Sequence, residues 1–140
     1  MVFCKTFNEL TNKELWEIAM LRTSVFTLEQ EITEEELDTN DYNALHYFIK
    51  EDEVIISYAR LVKIKGKHYI GRVCTNKDYR RLGKQKEIIK EIIKTTKKIN
   101  TLYVSSQIQI VDFYLKFGFK PIGDTYLDAG IIHQLLTLEK

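Results

Sequence analysis

Three β-rich runs, Ala44–Lys50, Val54–Lys63 and His68–Thr75, follow one another with only Glu51-Asp52-Glu53 and a Lys65-Gly66-Lys67 turn between them. Parallel neighbours need a crossover of a dozen or more residues, so connections this short force an antiparallel meander. After Thr75 the period changes. Within Lys84–Ile99 the apolar positions Ile88, Ile89, Ile92 and Ile93 form one stripe of a helix, with lysines on the remaining faces.

The flanking segments complete an order of β α β β β α β α β β. Asn12–Leu28 carries Leu15, Trp16, Ile18, Ala19, Arg22, Val25 and Phe26 at mostly helical intervals and reads as an amphipathic helix, with Thr11 or Asn12 as N-cap. Glu29–Asp41 is acidic and reads as a loop with a short helix. Thr101–Ser105 is a short strand, and Ile108–Phe117 is helical until Gly118 stops it. Phe119–Ile122 and Ile131–Leu138 are strand candidates around the turns at Gly123-Asp124 and Asp128-Ala129-Gly130. The expected architecture is a mixed α/β domain spanning residues 1–140, with no repeat or low-complexity tract.

Composition excludes several function classes. Cys4 and Cys74 stand seventy positions apart with no CxxC, CxH or HxxxH spacing, which argues against zinc fingers, redox pairs and haem attachment, and no metal is required. There is no secretory apolar region and no run of eighteen apolar residues, so the expected address is the cytoplasm and no membrane contact is expected. The 21 Lys and Arg against 20 Asp and Glu leave a net charge of +1, which disfavours general nucleic-acid binding. The charge is nevertheless segregated: Glu29–Glu53 holds ten acids and one base, and Arg80–Lys98 eight bases and two acids.

The basic segment begins with Asp78-Tyr79-Arg80-Arg81-Leu82-Gly83-Lys84-Gln85, which joins an expected strand to an expected helix N-terminus. Orphan N–H groups there favour a phosphate or pyrophosphate, and Gly83 lets it approach the backbone closely. A P-loop would need Gly at Asp78 and Ser or Thr at Gln85, and GxGxxG is absent. Asp112–Phe119 carries Tyr114, a potential proton donor among residues that otherwise suit a core. His133 lies at the start of the last strand; a lone His is more often structural than catalytic, and the same holds for His46 and His68.

Taken together, Arg80-Arg81-Leu82-Gly83-Lys84-Gln85 after the strand ending Gly71-Arg72-Val73-Cys74-Thr75, followed by Phe113-Tyr114-x-x-x-Gly118-Phe119, resembles the GNAT superfamily of acyl-CoA-dependent N-acetyltransferases. Leu21-Arg22-x-x-Val25-Phe26-x-x-Glu29-Gln30, His46, Tyr58-Ala59-Arg60-Leu61, Ile70-Gly71-Arg72-Val73 and Tyr126-Leu127-x-x-Gly130-Ile131-x-His133 narrow the likeness to its ElaA-type branch. The resemblance implies a central, mostly antiparallel twisted sheet flanked by helices, and transfer of an acetyl group from acetyl-CoA to a primary amine of a small molecule or peptide in a ternary complex. It implies that Arg80, Arg81, Leu82, Gly83, Lys84 and Gln85 cradle the coenzyme pyrophosphate, and that Val73, Cys74 and Thr75 pair with the pantetheine arm and the thioester oxygen. Gln107 falls on the branch's amide position and Tyr114 on the residue that protonates the departing thiolate. A homodimer is a further implication. The sequence departs from the family at Gln85, where a small residue is usual, and at Ala129 and Ile132.

An ammonium must lose a proton before it attacks, and Glu29 and His133 are the candidate bases. Cys74 reads as a buried apolar residue rather than a nucleophile. Arg22, Arg60 and Arg72 lie in otherwise apolar elements and need carboxylate partners; a structural network is the first reading and a clamp for a substrate carboxylate the second. The acidic Glu29–Glu53 segment suits a cationic acceptor such as a polyamine, amino sugar or lysine side chain, and equally a solvated rim. The alternative function is a non-catalytic acyl-CoA-binding or regulatory module with the same fold.

Overall fold

The two short connections are two-residue turns with left-handed backbone at both positions: Asp52 (φ 50°) with Glu53 (φ 67°), and Lys65 (φ 50°) with Gly66 (φ 81°). This geometry matches the twist of paired strands. The computed structural model describes residues 1–140. Its elements are β1 (Phe3–Thr6), α1 (Asn12–Arg22), β2 (Leu45–Glu51), β3 (Val54–Ile64), β4 (Lys67–Thr75), α2 (Lys84–Thr95), β5 (Thr101–Gln107), α3 (Val111–Leu115), β6 (Lys120–Pro121), β7 (Tyr126–Asp128) and β8 (Ile131–Glu139). The strands form one sheet in the order β1-β2-β3-β4-β5-β8-β6, with β7 also on β8. Every pairing is antiparallel except β4 with β5.

Alternation along the strands divides the core. Ile88, Ile89 and Ile92 of α2 pack with Ile56, Leu61, Ile70, Leu102, Val104 and Leu136 on one face, joined there by Tyr114 of α3. Ile18, Leu21 and Val25 cover Phe48, Ile55, Tyr58 and Cys74 on the other.

The expected helix over Asn12–Leu28 is regular only to Arg22; Thr23–Glu29 continues it as a π-helical turn. Thr11 is its N-cap, and its hydroxyl accepts the Glu14 N–H. Its amphipathicity is also different. Trp16 is 68 % exposed, whereas Glu14, Glu17 and Arg22 are buried because each finds a partner. Glu17 accepts the Ile55 N–H at 3.1 Å, and Glu14 binds Lys5 and Lys50, both at 2.9 Å.

Burial opposes ionisation of Glu14, but the Thr11 N–H and the Lys50 and Lys5 ammoniums outweigh it and hold its carboxyl down to about 2. A carboxyl lowered in the folded state stabilises the fold above its unfolded pKa and loses that contribution as pH falls through the folded value. The stability gap between wild type and Glu14→Gln is therefore expected to stay constant above about pH 5 and to close between about pH 4 and 2. Urea unfolding across that range checks it; a gap independent of pH would refute the assignment.

The feature that makes room for chemistry lies in β4. Its parallel pairing with β5 runs only through His68–Leu102, Tyr69–Tyr103 and Ile70–Val104. Next, the register with β3 shifts from Arg60–Gly71 to Tyr58–Cys74, so Arg72 and Val73 together oppose Ala59. Such a bulge bends the strand, and Arg72 takes the left-handed backbone it demands (φ 53°). Beyond this point β4 separates from β5, which on its other edge keeps its antiparallel pairing with β8 through Gln107–His133.

Candidate active site

The separated strands form a V that opens into a cleft of about 770 Å³. Its walls come from β4 and β5, the π-helical turn, the acidic loop, the loop before α2, and α3.

At one end the Asn76 side chain accepts the Asp78 N–H at 2.9 Å and starts a single 3-10 turn over Lys77–Tyr79. The chain then passes through two left-handed residues, Arg81 (φ 63°) and Gly83 (φ 75°), into α2. No side chain caps this helix, and its first internal bond is from the Glu87 N–H to the Gly83 carbonyl at 3.1 Å. The N–H groups of Lys84, Gln85 and Lys86 are thus left for an anion. Arg81 lines the cleft and is exposed, and Lys84 lines it while reaching Glu51 at 3.1 Å. Gln85 is half-buried in the same wall, and Leu82 projects outward.

The Arg80 side chain is engaged within the protein. Its Nε–H donates to the Thr75 carbonyl at 3.0 Å, and its two terminal nitrogens grip Glu29 at 2.6 and 2.7 Å. The pair ties the π-helical turn to the end of β4. The Arg80 bonds also hold the Glu29 carboxyl below its usual range, so Glu29 is a weaker proton acceptor than the sequence suggested.

The opposite wall holds the other candidates. Tyr114 is 4 % exposed, yet it lines the cleft. Burial alone pushes its phenol above the ordinary range, and no hydrogen bond or charge contributes. Gln107 donates to Gln30 at 2.9 Å and accepts from Gln109 at 2.8 Å, a chain of three amides of which only Gln107 stood out in the sequence as a site residue. His133 lies opposite Gln107 in the β5–β8 register. Its Nδ1 is 2.8 Å from the Ile131 carbonyl, which can only accept, so Nδ1 carries a hydrogen and Nε2 is the nitrogen left to exchange a proton. Tyr126 stacks on the imidazole at 6.2 Å and is itself held by Ser105. That support was invisible beforehand because Tyr126 and Ser105 are 21 positions apart.

Val73, Cys74 and Thr75 occupy the separated part of β4 and line the cleft. The Cys74 side chain, however, packs under α1, where burial drives the thiol far above its usual range. A nucleophilic role is excluded by that placement. Thr75 is likewise buried, its hydroxyl bonded to Ser57 at 2.9 Å. His46 is structural: Nε2 donates to the Asp41 carbonyl, and Nδ1 accepts from Tyr58 at 2.6 Å.

The three arginines form a network with Glu36, Asp38 and Asp41. Arg22 meets Glu36 at 2.9 Å and Asp41 at 2.8 Å, Arg60 meets Asp38 at 2.7 Å and Asp41 at 2.8 Å, and Arg72 meets Glu36 at 2.9 Å. Each carboxylate serves two of the arginines: Glu36 takes Arg22 and Arg72, Asp41 takes Arg22 and Arg60, and Asp38 takes Arg60 and Arg72.

This arrangement has counterparts in known proteins. The sequence model of the acetyltransferase (GNAT) domain matches residues 8–140. The chain belongs to the GNAT acetyltransferase family. A UPF0039 protein of Schizosaccharomyces pombe is 34 % identical over 141 residues, covering 96 % of this chain and 94 % of that one. Protein ElaA of Escherichia coli is 27 % identical over 135 residues, covering 90 % and 88 %. A solved acyl-CoA N-acyltransferase from Pseudomonas aeruginosa superposes with a TM-score of 0.90 at 27 % identity, covering 98 % of both chains. The ElaA crystal structure superposes at 0.92 with 24 % identity, covering 99 % of both. The fold is thus the mixed α/β GNAT fold, a mostly antiparallel sheet flanked by helices. No helix in it is long and apolar enough to cross a membrane.

Proposed function

We propose that the protein transfers an acetyl group from acetyl-CoA directly to a primary amine. The observation that carries this reading is a single cleft. It joins an uncapped helix N-terminus and a free arginine at one end to a partnerless phenol and a partnerless imidazole nitrogen at the other. Acetyl-CoA supplies an activated acyl thioester and a polyanionic handle. The N–H groups at the start of α2, with Arg81 and Lys84, suit that handle. The backbone of Val73, Cys74 and Thr75, released from β5, suits the arm and the thioester oxygen.

His133 Nε2 takes the proton from the acceptor ammonium, with the ring held by the Ile131 carbonyl and Tyr126. Tyr114 gives its proton to the departing sulfur. Glu29 and Arg80 position the coenzyme loop. Gln85 lines the cleft beside Lys84 at the phosphate end.

Calorimetric titration with acetyl-CoA, using dephospho-CoA and ADP as controls, followed by thiol release against a panel of amines, tests the proposal. Binding with amine-dependent release is the expected result. No binding at millimolar coenzyme would overturn it, and binding without release on any amine would leave the binding-only module in its place.

A further inference from the structure

Glutamine side chains from two walls of the cleft meet in a directed chain. Gln107, at the end of β5, donates an amide N–H to Gln30 Oε1 at 2.9 Å, and its own Oε1 accepts from Gln109 Nε2 at 2.8 Å. All three line the cleft. Gln30 comes from the end of the π-helical turn, 77 positions away, and is fixed there. Its backbone N–H bonds the Val25 carbonyl at 3.0 Å, and its neighbour Glu29 is gripped by Arg80. Gln109 lies in the single 3-10 turn over Ile108–Ile110 that follows β5.

An amide has a donor end and an acceptor end, so a chain of three has a direction. Turning Gln107 alone would set its oxygen against Gln30 Oε1 and its nitrogen against Gln109 Nε2, and both bonds would be lost. Its neighbours therefore decide which way it faces. One N–H of Gln107 Nε2 is left over, since only Gln30 takes a bond from that nitrogen. Gln107 stands opposite His133 in the antiparallel register. Side chains so paired share a face, with Cβ atoms about 5 Å apart. The spare donor is thus beside the proposed base and across the opened strands from Val73, Cys74 and Thr75. Attack at that place puts negative charge on the thioester oxygen, and donors fixed in advance stabilise it most. We infer that Gln30 and Gln109 are positioning residues: one as acceptor and the other as donor, they aim the spare Gln107 N–H at the thioester oxygen as it gains charge. The inference rests on the acetyltransfer reading above.

Replacing either end of the chain by glutamate tests it, because the two variants place the same charge on the same cleft and differ only in direction. Gln30→Glu keeps an acceptor for Gln107 and is expected to hold kcat in thiol release within about twofold of wild type. Gln109→Glu can no longer donate, so Gln107 turns its nitrogen toward position 109. Its kcat is expected to fall about tenfold, the scale of one hydrogen bond, with the KM for acetyl-CoA unchanged. Gln30→Leu is expected to match that loss, and to have no further effect in a Gln107→Leu background, because it acts through that amide. Gln30 and Gln109 are exposed, and the Tm of each variant reports that it is folded. Equal responses of Gln30→Glu and Gln109→Glu, or a Gln30→Leu loss that persists without the Gln107 amide, overturn the inference and leave acetyltransfer standing. No release by the wild type with any amine overturns both.

Discussion

Tyr114→Phe is expected to lower kcat about 100- to 1,000-fold, the usual scale for loss of a positioned general acid, with the KM for acetyl-CoA little changed. The ring is a core element. It meets Phe113 at 5.1 Å and Phe119 at 5.8 Å, both edge-on, and phenylalanine preserves those contacts. The hydroxyl makes no bond within the protein, so its removal leaves no orphaned partner and Tm should hold. Because burial raises the phenol above its ordinary range, Tyr114 remains protonated and can donate but not accept. Wild-type turnover should therefore show no loss from Tyr114 ionisation up to about pH 10. Steady-state kinetics on the variant decide the matter: turnover within a few-fold of wild type would make Tyr114 core alone.

The features legible in advance rest on local spacing. Two-residue connections dictate antiparallel neighbours whatever surrounds them, and the stripe of Ile88, Ile89 and Ile92 has only one way to be buried. The loop before α2 was readable because Gly83 and its cations fall between a strand and a helix. What escaped depends on pairing between distant segments. A bulge exists only relative to the partner strand, and Arg72 has no turn chemistry to announce its left-handed backbone. β7 is three exposed residues that are a strand only because β8 pairs with them. Glu29 and Arg80 are 51 positions apart, so the engagement of the candidate base by the Arg80 side chain was not visible. Geometry alone separates Glu29, gripped by a guanidinium, from His133, with a nitrogen to spare.

Asp41→Asn is expected to cost about 3–5 kcal/mol of stability and, for a chain of this length, to lower Tm by roughly 10 °C or more. Asp41 Oδ1 accepts from both Arg22 and Arg60 at 2.8 Å, and Arg22 is only 1 % exposed. Three guanidiniums facing three carboxylates are neutral as a set; removing one carboxylate leaves net positive charge out of water. Burial works against the Asp41 carboxylate, but Arg22 and Arg60 prevail and hold its pKa below the ordinary aspartate range. Its contribution is thus present above about pH 4 and is lost as pH falls through the lower folded value, where wild type and variant should converge. The same network pins the acidic loop over the sheet, through Glu36 to Arg22 and Arg72 and through Asp38 to Arg60. The variant should therefore raise the acceptor KM while leaving the acetyl-CoA KM near its wild-type value, because the coenzyme loop is held separately by Arg80, Glu29 and the Thr75 carbonyl. Urea unfolding at neutral and acid pH, with the two KM values measured on the same preparations, tests both halves. A cost below about 1 kcal/mol would mean that water reaches these charges, and an equal rise in both KM values would mean that the two ends of the cleft are not held independently.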